Sequence, residues 1–204
     1  MSLYLPSGMK RKRKKKKRSC GECRMCCITH AVPEAKKSSF EFCENLRGKI
    51  IVTTEQQGGC SIYDERPKSC RAYECVWLQG WADDSCRPDR LGAVVDVQET
   101  LLGEVFVVKV VDALTLLSPD LSATVNHLAE DCVVWVQTPS PRTRMIVCPD
   151  HERERIQDTV ERVIAKARLG GNLAIGKTLQ EAVSGLGGTY TDGEIWSLVG
   201  GGSK

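Results

Sequence analysis

The chain has 204 residues, with 41% hydrophobic, 27% charged and only 5% aromatic side chains. That is enough for one sizeable domain with tails, built on a mostly aliphatic core. No apolar run approaches the ~18 residues of a membrane-spanning helix, which excludes a helical membrane span on sequence grounds. The net charge of +3 hides an asymmetry, because residues 10–18, opening on Lys10 and closing on Arg18, are an unbroken basic run and leave an acidic remainder.

Residues 1–18 read as a disordered basic arm, since adjacent like charges repel one another and cannot pack. No apolar stretch follows the run, so it does not read as a secretory signal. Lys10 to Arg18 can attract nucleic acid or an anionic surface through counterion release. It lacks interleaved aromatics on which bases would stack, so the expectation is a solvated tail and nucleic-acid binding is not favoured. Residues 19–170 read as one cysteine-cluster domain, cysteine-rich over 19–86 and sheet and helix over 87–170. Residues 171–204 read as a Gly-rich C-terminal tail.

Within 87–170 the pattern changes to Val-rich strands over 91–99 and 104–111, turned by Leu102-Gly103. Ser118-Pro119-Asp120 announces a helix that runs to about Glu130. Residues 133–138 and 143–148 read as two more strands. Residues 151–169 carry Ile156, Val160, Val163, Ile164 and Ala167 on one helical face, with Asp150 as the expected N-cap. A short helix is expected from Thr178 to Leu186. The expected fold class is α+β: a metal-stapled, loop-rich region packed on a short antiparallel sheet with one or two helices.

The chain holds 11 cysteines, and Cys20, Cys23, Cys26, Cys27, Cys43, Cys60, Cys70 and Cys75 crowd into residues 20–75. The odd total, without an export signal, disfavours a disulfide framework and points to a reducing, cytoplasmic setting. So few apolar side chains surround these thiols that the segment needs a cross-link other than a core, and a metal supplies one. Cys20-Gly-Glu-Cys23-Arg-Met-Cys26-Cys27 has the spacing at which turns aim backbone amides at thiolates. Zinc takes about four such ligands at ~2.3 Å, and iron–sulfur clusters use thiolates at similar spacing. Adjacent Cys26 and Cys27 are expected to face different sides and to serve two centres or bridge them. Eight thiolates suit two four-cysteine zinc sites or one iron–sulfur cluster with spare ligands.

These motifs resemble the YkgJ-type cysteine-cluster proteins, a family described as zinc- or iron-chelating and marked by CxxCxxCC. The likeness covers about residues 20–95. It rests on Cys20, Cys23, Cys26 and Cys27, then Cys43 with Leu46. The block Cys60-Ser-Ile-Tyr63-Asp64-Glu65-Arg66-Pro67-Lys-Ser-Cys70-Arg71 follows, then Cys75, Trp77-Leu78 and Arg87-Pro88. The resemblance implies metal chelation more firmly than any reaction. A more distant likeness to flagellin lysine methylases keeps an iron–sulfur enzyme open, for redox or protein methyl transfer. A nucleic-acid-associated zinc protein using the basic arm is a further alternative, and whether the chain is an enzyme stays undecided.

Arg66 and Arg71 are expected either beside the sulfurs, offsetting their charge, or in surface ion pairs with Asp64 or Glu65. Pro67 is expected to fix a turn between ligands. Tyr63, Tyr73, Trp77 and Trp81 are expected to cover the site. His30 is expected to be an exposed loop histidine, with zinc ligation as the alternative. Cys132 and Cys148 read as core, and Cys86 as core or an auxiliary ligand. Gly171 to Thr178 satisfies the phosphate-loop pattern GxxxxGKT, but a long helix rather than a strand enters it, so nucleotide binding is set aside.

Overall fold

The structure is a computed structural model and describes residues 18–21, 23–47, 59–140, 143–167 and 172–186. The chain divides into two compact units, residues 1–94 and 95–204. Residues 1–17 of the basic arm and residues 187–204 lie outside the described residues. So do the helix stop at Gly170-Gly171 and the side chains of Val163, Ile164 and Ala167.

The first unit is made of short pieces. Helix α1 spans Met25–Thr29. A minimal antiparallel ladder joins β1, Leu46–Arg47, to β2, Gly59–Cys60. Helix α2 covers Lys68–Ala72 and α3 covers Pro88–Leu91. Elements this short satisfy few of their own backbone groups, and turns and side-chain caps supply the rest. Met25, Ile28, Val32, Val76, Trp77, Ala82 and Leu91 are its buried apolar side chains, and they are scattered along the segment.

Strand β3, Ala93–Thr100, carries the boundary between the units, and β4 follows at Gly103–Val110. The turn between them is closed by Thr100, whose hydroxyl donates to the Gly103 carbonyl and accepts from the Leu102 amide, both at 3.0 Å. Helix α4 spans Pro119–Leu128 and β5 spans Val134–Gln137. Strand β6 spans Thr143–Val147 and α5 spans Arg153–Ala167. Strand β7 spans Asn172–Gly176 and α6 spans Leu179–Ser184. The fold is α+β, with a five-stranded sheet in the order β3-β4-β5-β6-β7.

The expectation of an antiparallel sheet is corrected. Strand β4 pairs with β5 in parallel, β5 with β6 antiparallel, and β6 with β7 in parallel. Each parallel pair needs a crossover, which α4 provides for the first and α5 for the second. Because β6 runs against β4, crossovers of the same hand put their helices on opposite faces. On one face Val105, Val107, Ile146 and Cys148 pack with Ile156 of α5. The alternate residues Phe106, Val108 and Val110 are buried on the other face. There α6 lies over β6 and β7, and α4 packs beside it.

The segment expected as a Gly-rich tail thus contributes β7 and α6. Residues 172–176 of the phosphate-loop pattern are strand, paired with β6, so their amides serve the ladder rather than a phosphate. Gly176 has a packing role: a Cβ there would stand 2.6 Å from the Ala182 amide nitrogen and 2.9 Å from the Thr178 carbonyl. Asp150 is not the cap of α5 either. A 3-10 turn, Asp150–Glu152, precedes that helix, and the Asp150 carboxylate accepts from Lys177 Nζ at 2.8 Å.

Candidate metal centre

The first unit brings the eight cysteines together through local backbone devices. Gly21 adopts φ +53°, a region that suits glycine, and the Cys23 amide then donates to the Cys20 carbonyl at 2.9 Å. Cys26 and Cys27 ride on α1. The Cys43 amide donates to the Cys27 carbonyl at 3.1 Å, which ties the next cysteine to that helix. Cys60 pairs with Leu46, just beyond Cys43, in the short ladder. Pro67 stands at the start of α2, which carries Cys70. Glu34 holds that start in place, its carboxylate accepting from the Ser69 amide at 3.0 Å and hydroxyl at 2.7 Å.

Two cavities with a shared wall collect all eight. One is lined by Cys20, Cys23, Cys26, Cys70 and Cys75, with Arg66 and Trp77. The other is lined by Cys20, Cys23, Cys26, Cys27, Cys43, Cys60 and Cys70. Cys26 therefore faces both, while Cys27 faces one. That placement is compatible with the expected use of the vicinal pair, as a bridge or as one ligand for each of two centres. None of the 11 cysteines is in a disulfide. Among the described residues no three His, Cys, Asp or Glu side chains stand at metal-gripping distances. The sulfurs line the cavity walls, and ligation requires them to draw inward.

Burial makes these surroundings costly for thiolates in the metal-free chain, and amides and Arg66 oppose that only in part. Burial pushes the Cys23 thiol up to about 12, against an opposing hydrogen bond from the Met25 amide. Burial likewise raises Cys75 to about 11, with the Leu78 and Trp77 amides acting the other way. Cys26 is raised by its contact with Cys27 and by burial. Burial and the charge of Cys26 raise Cys20, while Arg66 and a hydrogen bond from Tyr63 lower it. Amides and a guanidinium act the other way, but the net effect keeps these sulfurs protonated, so a soft divalent ion would have to supply the positive charge that ionises them. The donor set fits zinc or iron in chemistry and enclosure.

Arg66 stands beside the sulfurs, one of the two places expected for it. It lines both cavities, stacks 3.7 Å from the Tyr63 ring centroid and donates to the Tyr63 carbonyl at 2.7 Å. Arg71 is exposed and lines neither cavity. Tyr63, Tyr73 and Trp77 line the cavities, and Trp81 does not. His30 is half-buried rather than exposed; it lines the second cavity, with its ring 4.1 Å from that of Tyr73. Cys86 is buried and lines neither cavity, Cys148 lies in the sheet's core, and Cys132 is half-buried after α4.

Three residues here escaped the sequence reading. Glu34 caps α2 from a distant turn, and Lys37 is buried beside α1. Arg18, the end of the basic run, docks. Its guanidinium donates to the Trp77 and Ala82 carbonyls, lies 4.9 Å from the Trp77 ring centroid and pairs with Asp84 at 3.8 Å. It therefore belongs to the folded unit, not to the arm. Lone basic residues in a basic run carry no local signal for such roles, which only tertiary closure creates.

Among the described residues no helix is long and apolar enough to cross a membrane. Comparison of the chain with known protein families, curated proteins and solved structures finds no match.

Proposed function

We propose that this chain is a metal-binding cysteine-cluster protein of the YkgJ type, holding zinc or iron through thiolates in a reducing, cytoplasmic setting. The metal is at least partly structural. The observation that carries the reading is the convergence of eight cysteines, drawn from 20–75, on two cavities that share a wall. Eight half-buried thiols acting only as small apolar groups would not collect amides and Arg66 around them.

The two cavities sort part of the ligands: Cys75 lines only the first, Cys27, Cys43 and Cys60 line only the second, and Cys20, Cys23, Cys26 and Cys70 line both. Cys75 feels Cys20 and Cys26, and Cys23 feels Cys26 and Cys75. Cys70 feels Cys26, then Cys43 and Cys60. One centre would then use Cys20, Cys23, Cys26 and Cys75, and the other Cys27, Cys43, Cys60 and Cys70. When bound, a divalent ion supplies the cross-link that the short elements lack. A site whose four positions are all cysteine leaves no place for a substrate to coordinate, which favours a closed module over a catalyst.

The test is metal analysis by mass spectrometry on protein purified without oxygen, with an absorbance spectrum of the same sample. About two zinc ions per chain in a colourless sample is the expected result. Iron with sulfide and a visible band would select a cluster instead. Cys75→Ser and Cys43→Ser should each lose part of the metal, while Cys132→Ser keeps all of it. Equal metal in all three variants would overturn the assignment, and so would a wild-type chain without metal.

A further inference from the structure

Lys37 is a buried cation with no carboxylate at ion-pair distance among the described residues. The chain folds back at Val32 and Lys37, which form an isolated antiparallel bridge, with the Val32 amide donating to the Lys37 carbonyl at 2.9 Å. The 3-10 turn Pro33–Ala35 and Lys36, at φ +51°, make the bend. The Lys37 side chain is left only 7% exposed. Its ammonium donates to the carbonyls of Ile28 at 3.2 Å, Ser38 at 3.1 Å and His30. A lysine has three donors and no acceptor, so its hydrogen bonding is complete. What it lacks is negative charge.

Among the described residues no carboxylate lies within ion-pair distance, 4.0 Å, of Nζ. Glu41 is near enough to be felt, but its carboxylate accepts from the Ser38 amide at 2.7 Å. Lysine is almost never this buried unless paired, because burying an unanswered charge is costly. Burial lowers the Lys37 pKa, and the charges that pull it back up are those of Cys43, Cys27, Glu41 and Cys26, in that order. Three of the four are sulfurs. The Ile28 and His30 carbonyls it grips close the end of α1, the helix that carries Cys26 and Cys27.

We propose that Lys37 is the built-in countercation of an anionic thiolate centre formed by Cys27, Cys43, Cys60 and Cys70. The proposal rests on the metal-centre reading above and deepens it. Four thiolates around a divalent ion carry two excess negative charges, and a fixed ammonium at the end of the helix that carries Cys27 offsets part of them. Arg66 acts likewise on Cys20 and Cys26. Lys37 is a positioning residue that acts through the thiolates rather than by ligating the ion.

The test loads the full-length wild type, Lys37→Met, Lys37→Arg and Lys37→Gln with cobalt(II) without oxygen, then competes the metal away with a chromophoric chelator. Circular dichroism checks that each variant folds. Lys37→Met should weaken one of the two cobalt ions about 10-fold, the scale expected for a lost outer partner of a metal ligand. It should also shift that ion's sulfur-to-cobalt absorption band and leave the other ion unchanged. Lys37→Arg, which keeps the charge, should restore both readings. Lys37→Gln, which keeps donors to the carbonyls without the charge, should behave like Lys37→Met and decides the matter if the methionine variant fails to fold. Wild-type affinity in Lys37→Gln, or equal losses in Lys37→Arg and Lys37→Gln, overturns the proposal. A wild-type chain that takes up no cobalt overturns the metal centre itself, which is a separate failure.

Discussion

The two units of this chain are held together by different physics. Residues 95–204 bury long aliphatic side chains on both faces of a sheet, and Leu121, Met145, Ile156, Leu179 and most of the β4 valines are fully enclosed. At roughly 1.5–3 kcal/mol per buried aliphatic side chain, such a core accounts for its own folding. Residues 1–94 pair a few scattered apolar residues with eight half-buried thiols, on helices of five residues or fewer. There the sulfurs occupy the middle, where the other unit keeps its valines. One unit is a conventional core, and the other gathers its cysteines on two cavities.

The largest effect that can break this comparison is removal of the proposed metal. A strong chelator, with hydrogen exchange followed by mass spectrometry, should strip amide protection from α1, α2 and the loops between Cys20 and Cys75. Protection in β4, β5 and β6 should persist, because none of the eight proposed ligands lies in that core. If both units lose protection together, the sheet also relies on the metal and the contrast fails. If neither does, the thiol-lined unit folds without a cross-link and the metal is not structural.

The converse perturbation is smaller. Ile156→Ala removes a fully buried side chain from the cluster with Val105, Val107 and Ile146. Leaving a cavity of that kind costs about 2–5 kcal/mol. The sheet unit should melt earlier by that amount in denaturant, while metal content stays at the wild-type value. Loss of metal in Ile156→Ala would show that the units are coupled.

The difference between the units also explains what could be read in the sequence. Strand β4 is legible as a Val-rich run, and Ser118 announces α4 as a helix start, its hydroxyl accepting from the Leu121 amide. Strand direction was not visible, because pairing is decided between segments rather than within one. A clue was present: residues 105–110 are buried without alternation, the mark of a strand covered on both faces as parallel sheets require. Strand β7 was missed because its glycines suppress the usual pattern, although Gly176 is there for close packing. At the thiol site, the cysteines named themselves by spacing, and Arg66 by its place between Cys60 and Cys70. Lys37, Glu34 and Arg18 did not, since each acts on a residue that only the fold brings near.

The smallest expected effects come from one interaction placed in both units. In the sheet unit Thr178 caps α6, its hydroxyl accepting from the Glu181 amide at 3.2 Å. Thr178→Ala should cost about 1 kcal/mol, seen as an earlier unfolding midpoint with no change in metal. In the thiol unit the start of α2 has no cap of its own, and Glu34 supplies one through Ser69. Those hydrogen bonds hold the Glu34 carboxyl below its ordinary range, so they are made to the ionised form. Glu34→Ala frees the first turn of the helix that carries Cys70. Its effect should fall on how tightly the metal is kept, measured by chelator competition, and should be milder than that of Cys70→Ser. A neutral acceptor in Glu34→Gln should recover part of the loss. If Glu34→Ala instead behaves like Thr178→Ala, shifting the unfolding midpoint and leaving metal affinity unchanged, then α2 is held by packing as α6 is, and the two units are less different than their cores suggest.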